Sequence, residues 1–156
     1  MKTEKKDKKT IQFITFKMND RTYAINISHV REINKLSAIT PVPRTDDFID
    51  GVMNLRGSVI PVINIRKRLH LAIKSNDKKN KLIIVEYDTS PVGLIVDEIS
   101  EVVKIEVGNI ENDKIKMLEI GAEYIKSIGK TDDGILAILD IYALLERERR
   151  ENASAV

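Results

Sequence analysis

The feature of the sequence that most constrains its fold is an internal repeat. With an offset of 69 residues, the apolar run Phe13–Phe16 aligns with Leu82–Val85. With an offset of 76 residues, Ile60–Ile65 aligns with Leu136–Ile141. Aligned positions agree in class, apolar with apolar and turn residue with turn residue, and the segments follow the same order in both halves. Such self-similarity predicts two similar structural units.

The repeated segments have the length and composition of β-strands. Runs rich in Ile and Val are separated by turn residues such as Arg56-Gly57 and Asp132-Asp133-Gly134, a pattern typical of strands. A helix is predicted only at Ile141–Arg150, with about one further turn at Ile65–Leu69. The ten predicted strands are Ile11–Met18, Thr22–Ile27, Glu32–Ile39, Gly51–Leu55, Val59–Asn64, Lys81–Tyr87, Val92–Val96, Val102–Val107, Ile125–Lys130 and Ile135–Leu139.

These elements predict an all-β or mostly β fold of two similar five-stranded barrels with a C-terminal helix. The most polar internal stretch, 74–80, is expected to divide the two units. Each unit has about 65 residues, which is marginal for a separate core, so we expect the barrels to pack together and leave a groove between them. Residues 1–10 are predicted to be a disordered Lys-rich arm, 11–150 a single domain and 151–156 a disordered tail.

The composition gives little support to catalysis. Cysteine is absent from the 156 residues, which excludes disulfides, thiolate nucleophiles and cysteine-based zinc sites. His29 and His70 are not spaced with further ligands as in a metal site, so both are expected to be structural or exposed. No glycine-rich phosphate loop or G-x-S-x-G elbow occurs. We therefore predict no enzyme activity, no cofactor and no metal.

Binding of nucleic acid is the alternative function, since small β-barrels can bind single strands through aromatic side chains in a basic groove. Aromatic residues are only 4% of the chain and the net charge is +2. The basic cluster Arg66-Lys67-Arg68 is interpreted as a solvated helix face in preference to a nucleic-acid patch. Neither a secretory signal nor the ~20-residue apolar run of a membrane helix is visible, so we expect a soluble intracellular protein without direct membrane insertion.

One segment carries a family resemblance. Asn54–Gly57 followed by Val59–Arg66 resembles the signature of the CheW family, the coupling proteins of bacterial chemotaxis, in which an N-L-R-G turn precedes an apolar strand with a proline and a D-L-R-like segment. Asn64 stands where the family commonly has Asp. The resemblance extends from about Ile11 to Leu145. Three further stretches resemble family segments: Tyr23–Ile33, Pro41–Val52 and Val92–Val102.

The resemblance implies a fold and a function. It implies two five-stranded SH3-like barrels around a shared hydrophobic core, without catalytic activity. It also implies an adaptor, or scaffold, that links the cytoplasmic tips of chemoreceptors to the regulatory domain of the histidine kinase CheA. Such a protein would be cytoplasmic and recruited to membrane-bound receptor clusters, and would bind no nucleic acid. Since no receiver domain follows, a stand-alone coupling protein is expected rather than the longer CheV type or the CheA domain.

The same resemblance places a receptor-binding site around Arg56. Gly57 permits the turn that carries this arginine, and Glu32 is expected beside it, although a plain structural ion pair would also explain the two charges. For Ile33, Leu94 and Val102 an ordinary core position is the alternative. The predicted receptor-binding residues are Val30, Glu32, Ile33, Arg56, Val92, Leu94 and Val102.

A second surface is predicted for the kinase. It lies on the loop Ile39–Arg44 and the neighbouring Met53, because exposed apolar residues in a loop often contact partners. The predicted kinase-binding residues are Ile39, Val42, Arg44 and Met53.

Overall fold

A computed structural model describes residues 9–43, 45–72, 79–112 and 122–146. Two short α-helices lie within them, α1 at Ile65–Arg68 and α2 at Ile141–Leu145. Single 3₁₀ turns occupy Ile27–His29, Val107–Asn109 and Ala122–Tyr124. The strands are β1 Thr10–Met18, β2 Arg21–Asn26, β3 Val30–Lys35, β4 Ile49–Leu55, β5 Ser58–Asn64, β6 Lys81–Tyr87, β7 Ser90–Val96, β8 Glu98–Glu106, β9 Ile110–Glu111, β10 Ile125–Thr131 and β11 Gly134–Leu139.

The predicted fold class, mostly β with a C-terminal helix, is confirmed. All ten predicted strands are present, and of the strands in the described residues only the two-residue β9 was missed. The helix predicted at Ile141–Arg150 is shorter, because Glu146 already has an extended backbone and ends α2. β1 begins at Thr10, the last residue of the predicted arm, while residues 1–8 and the tail 151–156 lie outside the described residues.

The strands form two sheets that exchange segments between the sequence repeats. One sheet has the order β8-β1-β2-β11-β10-β9 and the other β3-β6-β7-β5-β4. Each sheet therefore takes a hairpin from one repeat and its other strands from the other repeat: β1–β2 joins four strands of the second repeat, and β6–β7 joins three strands of the first. The stretch 74–80, of which 73–78 lie outside the described residues, separates the sequence repeats but not the two sheets.

The repeat in sequence is also a repeat in register. Ile33 lies opposite Ile83 in one sheet, and Val102 lies opposite Ile14 in the other. These pairs are related by the 69-residue offset. The parallel pairings follow the same rule, since β5 pairs with β7 and β11 pairs with β2 at corresponding residues. The two sheets are thus built to one plan.

Three clusters of buried apolar residues form the core. The largest, here called the shared core, takes residues from both sheets and both helices, including Phe16, Ile25, Ile83, Leu94 and Leu144. A second cluster belongs to the five-stranded sheet, and a third belongs to the six-stranded sheet. Each sheet thus buries one face in its own core and the other in the shared core, which explains why several strands are apolar on both faces.

Both helices begin in the same way. The Asn64 side chain accepts a hydrogen bond from the Lys67 amide, and Asp140 accepts one from the Ala143 amide. Asn and Asp are favoured N-cap residues, so Asn64 performs the capping role for which an Asp would also serve. In the part of the chain that the structure describes, no helix is both long and apolar enough to cross a membrane.

Candidate functional site

The hairpin between β4 and β5 displays Arg56 on a tight two-residue turn. The backbone φ angle is 49° at Arg56 and 89° at Gly57, and positive angles at both positions are typical of a type I′ hairpin turn. The Gly57 amide donates to Asn54 Oδ1 at 2.9 Å, which fixes the turn. A left-handed backbone is uncommon for an arginine, so the turn holds an exposed charge where Asn or Gly would be the ordinary choice.

Arg56 forms an ion pair with Glu32, as predicted. Its Nη2 donates to Glu32 Oε2, and Asn34 Nδ2 donates to the other carboxylate oxygen at 3.2 Å. The hydrogen bond from Arg56 lowers the pKa of Glu32 below its usual value. Because the Arg56 side chain is 67% exposed, the pair is open to water and to a partner.

A strip of apolar residues continues the shared core to the surface. Strands β3 and β8 are edge strands of the two sheets. Ile33 lies opposite Ile83 and Val102 lies opposite Ile14, and residues directly opposite each other share a face of the sheet. Ile83 and Ile14 are both in the shared core, yet Ile33 is 42% and Val102 is 50% exposed. Val30 packs partly buried against the same core, and we call Val30, Ile33 and Val102 the apolar strip.

The ion pair lies beside this strip and not within it. Glu32 is paired with Ile84, which belongs to the core of the five-stranded sheet. Successive residues of a strand point to opposite faces, so Glu32 and Ile33 emerge on the two sides of β3. The site thus combines an apolar face and a charged face along one exposed strand edge.

Two of the predicted receptor-binding residues are interior. Leu94 has no exposed surface and Val92 is only 7% exposed, and both belong to the shared core. The expectation that they form an exposed wall is therefore corrected. Leu94 lies opposite Ile83, which in turn lies opposite Ile33, so these residues support the apolar strip from below.

The predicted kinase surface is only partly exposed. Val42 is exposed, while Ile39 packs partly buried against the core of the five-stranded sheet. Met53 is buried in that same core, so its expected role as an exposed anchor is corrected. Its strand instead holds the loop, since Thr40 and Val52 exchange two backbone hydrogen bonds of 2.8 and 2.9 Å. Arg44 lies outside the described residues.

Sequence reasoning missed two buried arginines in α1. Arg66 and Arg68 are 5% and 6% exposed, so the interpretation of this cluster as a solvated helix face was wrong for both. Arg66 binds Asp97. The Arg68 guanidinium lies over the Phe48 and Tyr124 rings at 3.9 and 4.6 Å and donates to the Leu144 carbonyl oxygen at 2.8 Å. A signal was available, because the 76-residue offset aligns Arg68 with Leu144, an apolar position.

The chemistry of the site suits docking. No cluster of three or more His, Asp or Glu side chains that could hold a metal occurs in the described ranges. Glu32 and Arg56 neutralise each other, and the three residues of the apolar strip have no ionisable groups. An exposed apolar strip beside a charged pair offers a partner both buried apolar area and a polar contact that fixes orientation.

Comparison with known proteins agrees with this architecture. The sequence model of the protein family described as the CheW-like domain matches residues 12–149 of this chain. The chemotaxis protein CheW of Bacillus subtilis (strain 168) is 35% identical over 91% of each chain. That of Treponema pallidum is 32% identical over 85% of this chain and 81% of its own. A crystal structure of the scaffolding protein TtCheW from Thermoanaerobacter tengcongensis superposes with a TM-score of 0.83 and 34% identity, covering 90% of this chain and 95% of the other. By the family model and by these relatives, the chain belongs to the CheW family of chemotaxis scaffold proteins.

Proposed function

We propose that this chain is a non-catalytic chemotaxis adaptor that couples the cytoplasmic tips of chemoreceptors to the histidine kinase CheA. In this role it would be cytoplasmic and recruited to receptor clusters at the membrane. The observation that carries the proposal is the apolar strip, where Ile33 and Val102 extend the shared core into solvent at the edges of both sheets. Exposed apolar residues that continue a protein's core often mark a surface that a partner covers.

The strip fits a helical partner in the helix-in-groove mode. An amphipathic helix presents apolar residues at i, i+3, i+4 and i+7, and these can lie against a row of exposed apolar side chains. Lys35 on β3 and Lys104 on β8 follow Ile33 and Val102 at two-residue spacing and are exposed, so they lie on the same faces. A receptor helix with an apolar stripe flanked by carboxylates would complement both features.

Arg56 and Glu32 would set the orientation of this helix. The pair is exposed and therefore contributes little to folding, so stability alone gives a weak reason for holding an arginine in a left-handed turn. As a rim charge beside an apolar contact, Arg56 offers a planar guanidinium that binds carboxylates in a defined geometry. We infer that it pairs with Glu32 in the free protein and also contacts the receptor.

For the kinase, we propose the loop that carries Ile39, Val42 and Arg44. The exposed Val42 is the apolar contact of this surface. Met53 would contribute indirectly, because it is buried in β4, the strand that pairs with the loop through Thr40 and Val52. The loop belongs to the barrel of the five-stranded sheet, whereas the apolar strip draws on both sheets, so the two partners would occupy different surfaces.

Reconstitution tests the coupling function. CheA autophosphorylation is measured with receptor in membranes or nanodiscs, with and without this chain. The proposal expects a large rise in phosphorylation rate only when receptor, kinase and this chain are all present. An equal rate without the chain, or an equal rise without receptor, would contradict it. A second experiment, oligonucleotide binding over a range of salt concentrations, tests the nucleic-acid alternative through its steep salt dependence.

Variants then test the receptor surface. Ile33→Glu and Val102→Glu are expected to weaken receptor binding by about 1–3 kcal/mol each, as loss of a central interface contact does. The matched control is Ile135→Glu, because Ile135 is 68% exposed and lies on β11, a strand that pairs with neither β3 nor β8. Equal receptor binding by all three variants would contradict the site, provided that their melting temperatures agree.

Charge reversal tests Arg56. Arg56→Glu is expected to leave the fold intact and to weaken receptor binding by about 1–3 kcal/mol, with unchanged CheA binding. The double change Arg56→Glu with Glu32→Arg restores an ion pair in reverse. If the double variant recovers receptor binding in full, the pair has only a structural role, and if binding stays weak, Arg56 itself contacts the receptor.

A further inference from the structure

The chain passes between the two sheets at two points of the described residues. The first, at Ile27–His29, leads from β2 of the six-stranded sheet to β3 of the five-stranded sheet. The second, at Asp97, leads from β7 back to β8. The 69-residue offset aligns Asp97 with Ser28. The two crossings are therefore equivalent positions of the repeat, and differences between them show where the symmetry of the fold is broken.

The crossing at Asp97 is held by a partly buried ionic cluster, in which the Arg66 side chain is 6% and the Asp97 side chain 20% exposed. Arg66 binds both carboxylate oxygens of Asp97, with Nε 3.0 Å from Oδ1. The same guanidinium donates at 2.8 Å to the Asn19 side chain and at 2.8 Å to the Ala72 carbonyl oxygen. The Asn19 amide also donates to Asp97 Oδ2 at 2.8 Å. Since Asn19 belongs to the β1–β2 turn and Arg66 follows β5, one cluster joins both sheets at the crossing.

At the crossing Ile27–His29 the described residues form no ion pair; Ile27 packs partly buried against the shared core, and aromatic contacts take the place of the cluster. The 76-residue offset aligns Arg66 with Tyr142, which is 56% exposed. Its ring contacts His29 edge-on at 6.0 Å and Tyr87 at 5.7 Å between centroids. The Ser28 amide is bound locally by the Asn26 side chain. Burial lowers the pKa of His29, which disfavours a positive charge at this junction.

We propose that the Arg66–Asp97 cluster is the fixed pivot between the two sheets and that the Ile27–His29 crossing is the point where they move. Breaking a largely buried, hydrogen-bonded ion pair leaves a charge without its partner and is strongly destabilising, whereas contacts between aromatic rings are individually weak. Displacement between packed units is absorbed by a few residues at the ends of elements, and the weaker crossing is where this requires least free energy.

The consequence concerns the receptor surface, and here the inference rests on the proposed function. β3 begins at Val30, directly after the mobile crossing, and β8 begins at Glu98, directly after the pivot. Rotation about Asp97 therefore moves Ile33 relative to Val102. The distance between Ile33 and Val102, here called the width of the apolar strip, then differs between conformations. A receptor helix that binds one width better shifts the population toward the conformation with that width.

Hydrogen exchange on the unaltered chain gives the first test. After correction for intrinsic rates, the Asn19 and Asp97 amides at the pivot are expected to exchange at least tenfold more slowly than the Ser28 and His29 amides. Near-equal protection at the two crossings, or greater protection at Ser28 and His29, would overturn the proposal. Because this test needs no substitution, it decides the question even if changes at the pivot prevent folding.

Distance measurement between spin labels gives the second test. The chain has no cysteine, so Lys35→Cys and Lys104→Cys provide two specific attachment sites for spin labels, one on β3 and one on β8. Pulsed electron paramagnetic resonance then measures the distance between the labels, which reports the width of the strip. Arg66→Met is expected to broaden the distance distribution, with Arg66→Gln as the milder variant. Lys130→Met removes a half-exposed ion pair with Glu111 and should leave it unchanged. An unaltered distribution in both Arg66 variants would overturn the pivot.

These measurements use no receptor, so the pivot and the proposed function can fail independently. If the distance distribution broadens in the Arg66 variants but Ile33→Glu binds receptor normally, the pivot is supported and the proposed receptor site is contradicted. If receptor binding depends on Ile33 while the distance distribution ignores Arg66, the site stands and the pivot falls.

Discussion

Gly51 offers a sharp test of how the loop of the proposed kinase surface is held. Its φ angle is 145°, a backbone conformation that residues with a side chain rarely adopt. A methyl group at this position would overlap the Thr40 carbonyl oxygen and would lie 2.7 Å from the carbonyl carbon and 2.9 Å from Pro41 Cα. These are backbone atoms, so no side-chain rotation relieves the contact. We therefore expect Gly51→Ala to push the loop away from β4.

The magnitude follows from the contacts that would be lost. Thr40 and Val52 exchange two backbone hydrogen bonds, which are the loop's attachment to β4. Each contributes about 1 kcal/mol, and a residue in a disallowed backbone region adds about 1–3 kcal/mol of strain. The sum is about 3–5 kcal/mol, a large part of the ~5–15 kcal/mol that separates folded from unfolded states. For a chain of this size the melting temperature should fall by about 10 °C or more.

Two other glycines serve as controls. Gly57→Ala meets no atom within 4 Å but keeps a φ of 89°, so only backbone strain of about 1 kcal/mol is expected. Gly108→Ala also meets open space without a positive φ and should be nearly neutral. Melting curves and urea titrations of the three variants measure the stabilities, and CheA binding of folded Gly51→Ala reports on the loop.

The result that would refute this reasoning is a Gly51→Ala variant as stable as Gly108→Ala. It would mean that the loop shifts without loss, and the Thr40–Val52 bonds would then contribute nothing to folding. A variant that is destabilised as expected but binds CheA with normal affinity would leave the stability argument intact. It would, however, remove the loop of Ile39 and Val42 from the proposed kinase surface.

Further predictions concern the core, the ion pair and the helix cap. Leu94→Ala, at a fully buried position of the shared core, should lower the unfolding free energy by about 2–5 kcal/mol, measured by urea titration. Arg56→Met should raise the pKa of Glu32 in an NMR titration, because Arg56 lowers it. A pKa that is lower in the folded state stabilises the protein at pH values above the pKa of Glu32 in the unfolded chain. This stabilisation is lost as the pH falls through the pKa of Glu32 in the folded protein. The stability difference between wild type and Arg56→Met should therefore shrink in acid. Asp140→Ala removes the cap of α2 and should cost about 1 kcal/mol, seen as a small fall in melting temperature.

The strands and their order were predictable from the sequence because the signal is local. Apolar runs bounded by turn residues determined all ten long strands, and the 69- and 76-residue offsets identified equivalent positions that the register confirms, such as Ile33 with Val102. The two-residue β9 gave no signal, because a pairing of Ile110 and Glu111 with β10 depends on neighbours and not on local pattern.

The exchange of hairpins between the repeats was not predictable in this way. The offset identifies which segments of the two repeats are equivalent. It does not show which of two equivalent segments a given strand pairs with. β1 would present the same apolar faces to β3 as it does to β8, since these two strands are themselves repeats. The parallel pairings of β2 with β11 and of β5 with β7 join distant segments, and no turn residue marks them.

The candidate site was predicted in part for a related reason. The Arg56–Glu32 pair and the exposure of Ile33 and Val102 agree with the expectation, because edge strands leave residues half covered. Leu94 and Met53 lie in strands that are apolar on both faces, where the pattern does not distinguish interior from surface. Arg66 was misjudged because a charged side chain is seldom buried unless it is paired, and its partner Asp97 is 31 residues away.

The exchange of hairpins has a consequence for how the protein is made. Strands β3 to β7 are contiguous in the chain, so one half of the molecule can assemble as soon as residue 96 has left the ribosome. The β1–β2 hairpin is synthesised earlier but must wait, with both outer edges unpaired, until β8 and β11 emerge. Unpaired edges invite aggregation, so the first segment to appear is the last to be secured. A nascent chain halted between the two events should therefore be the species that most needs a chaperone.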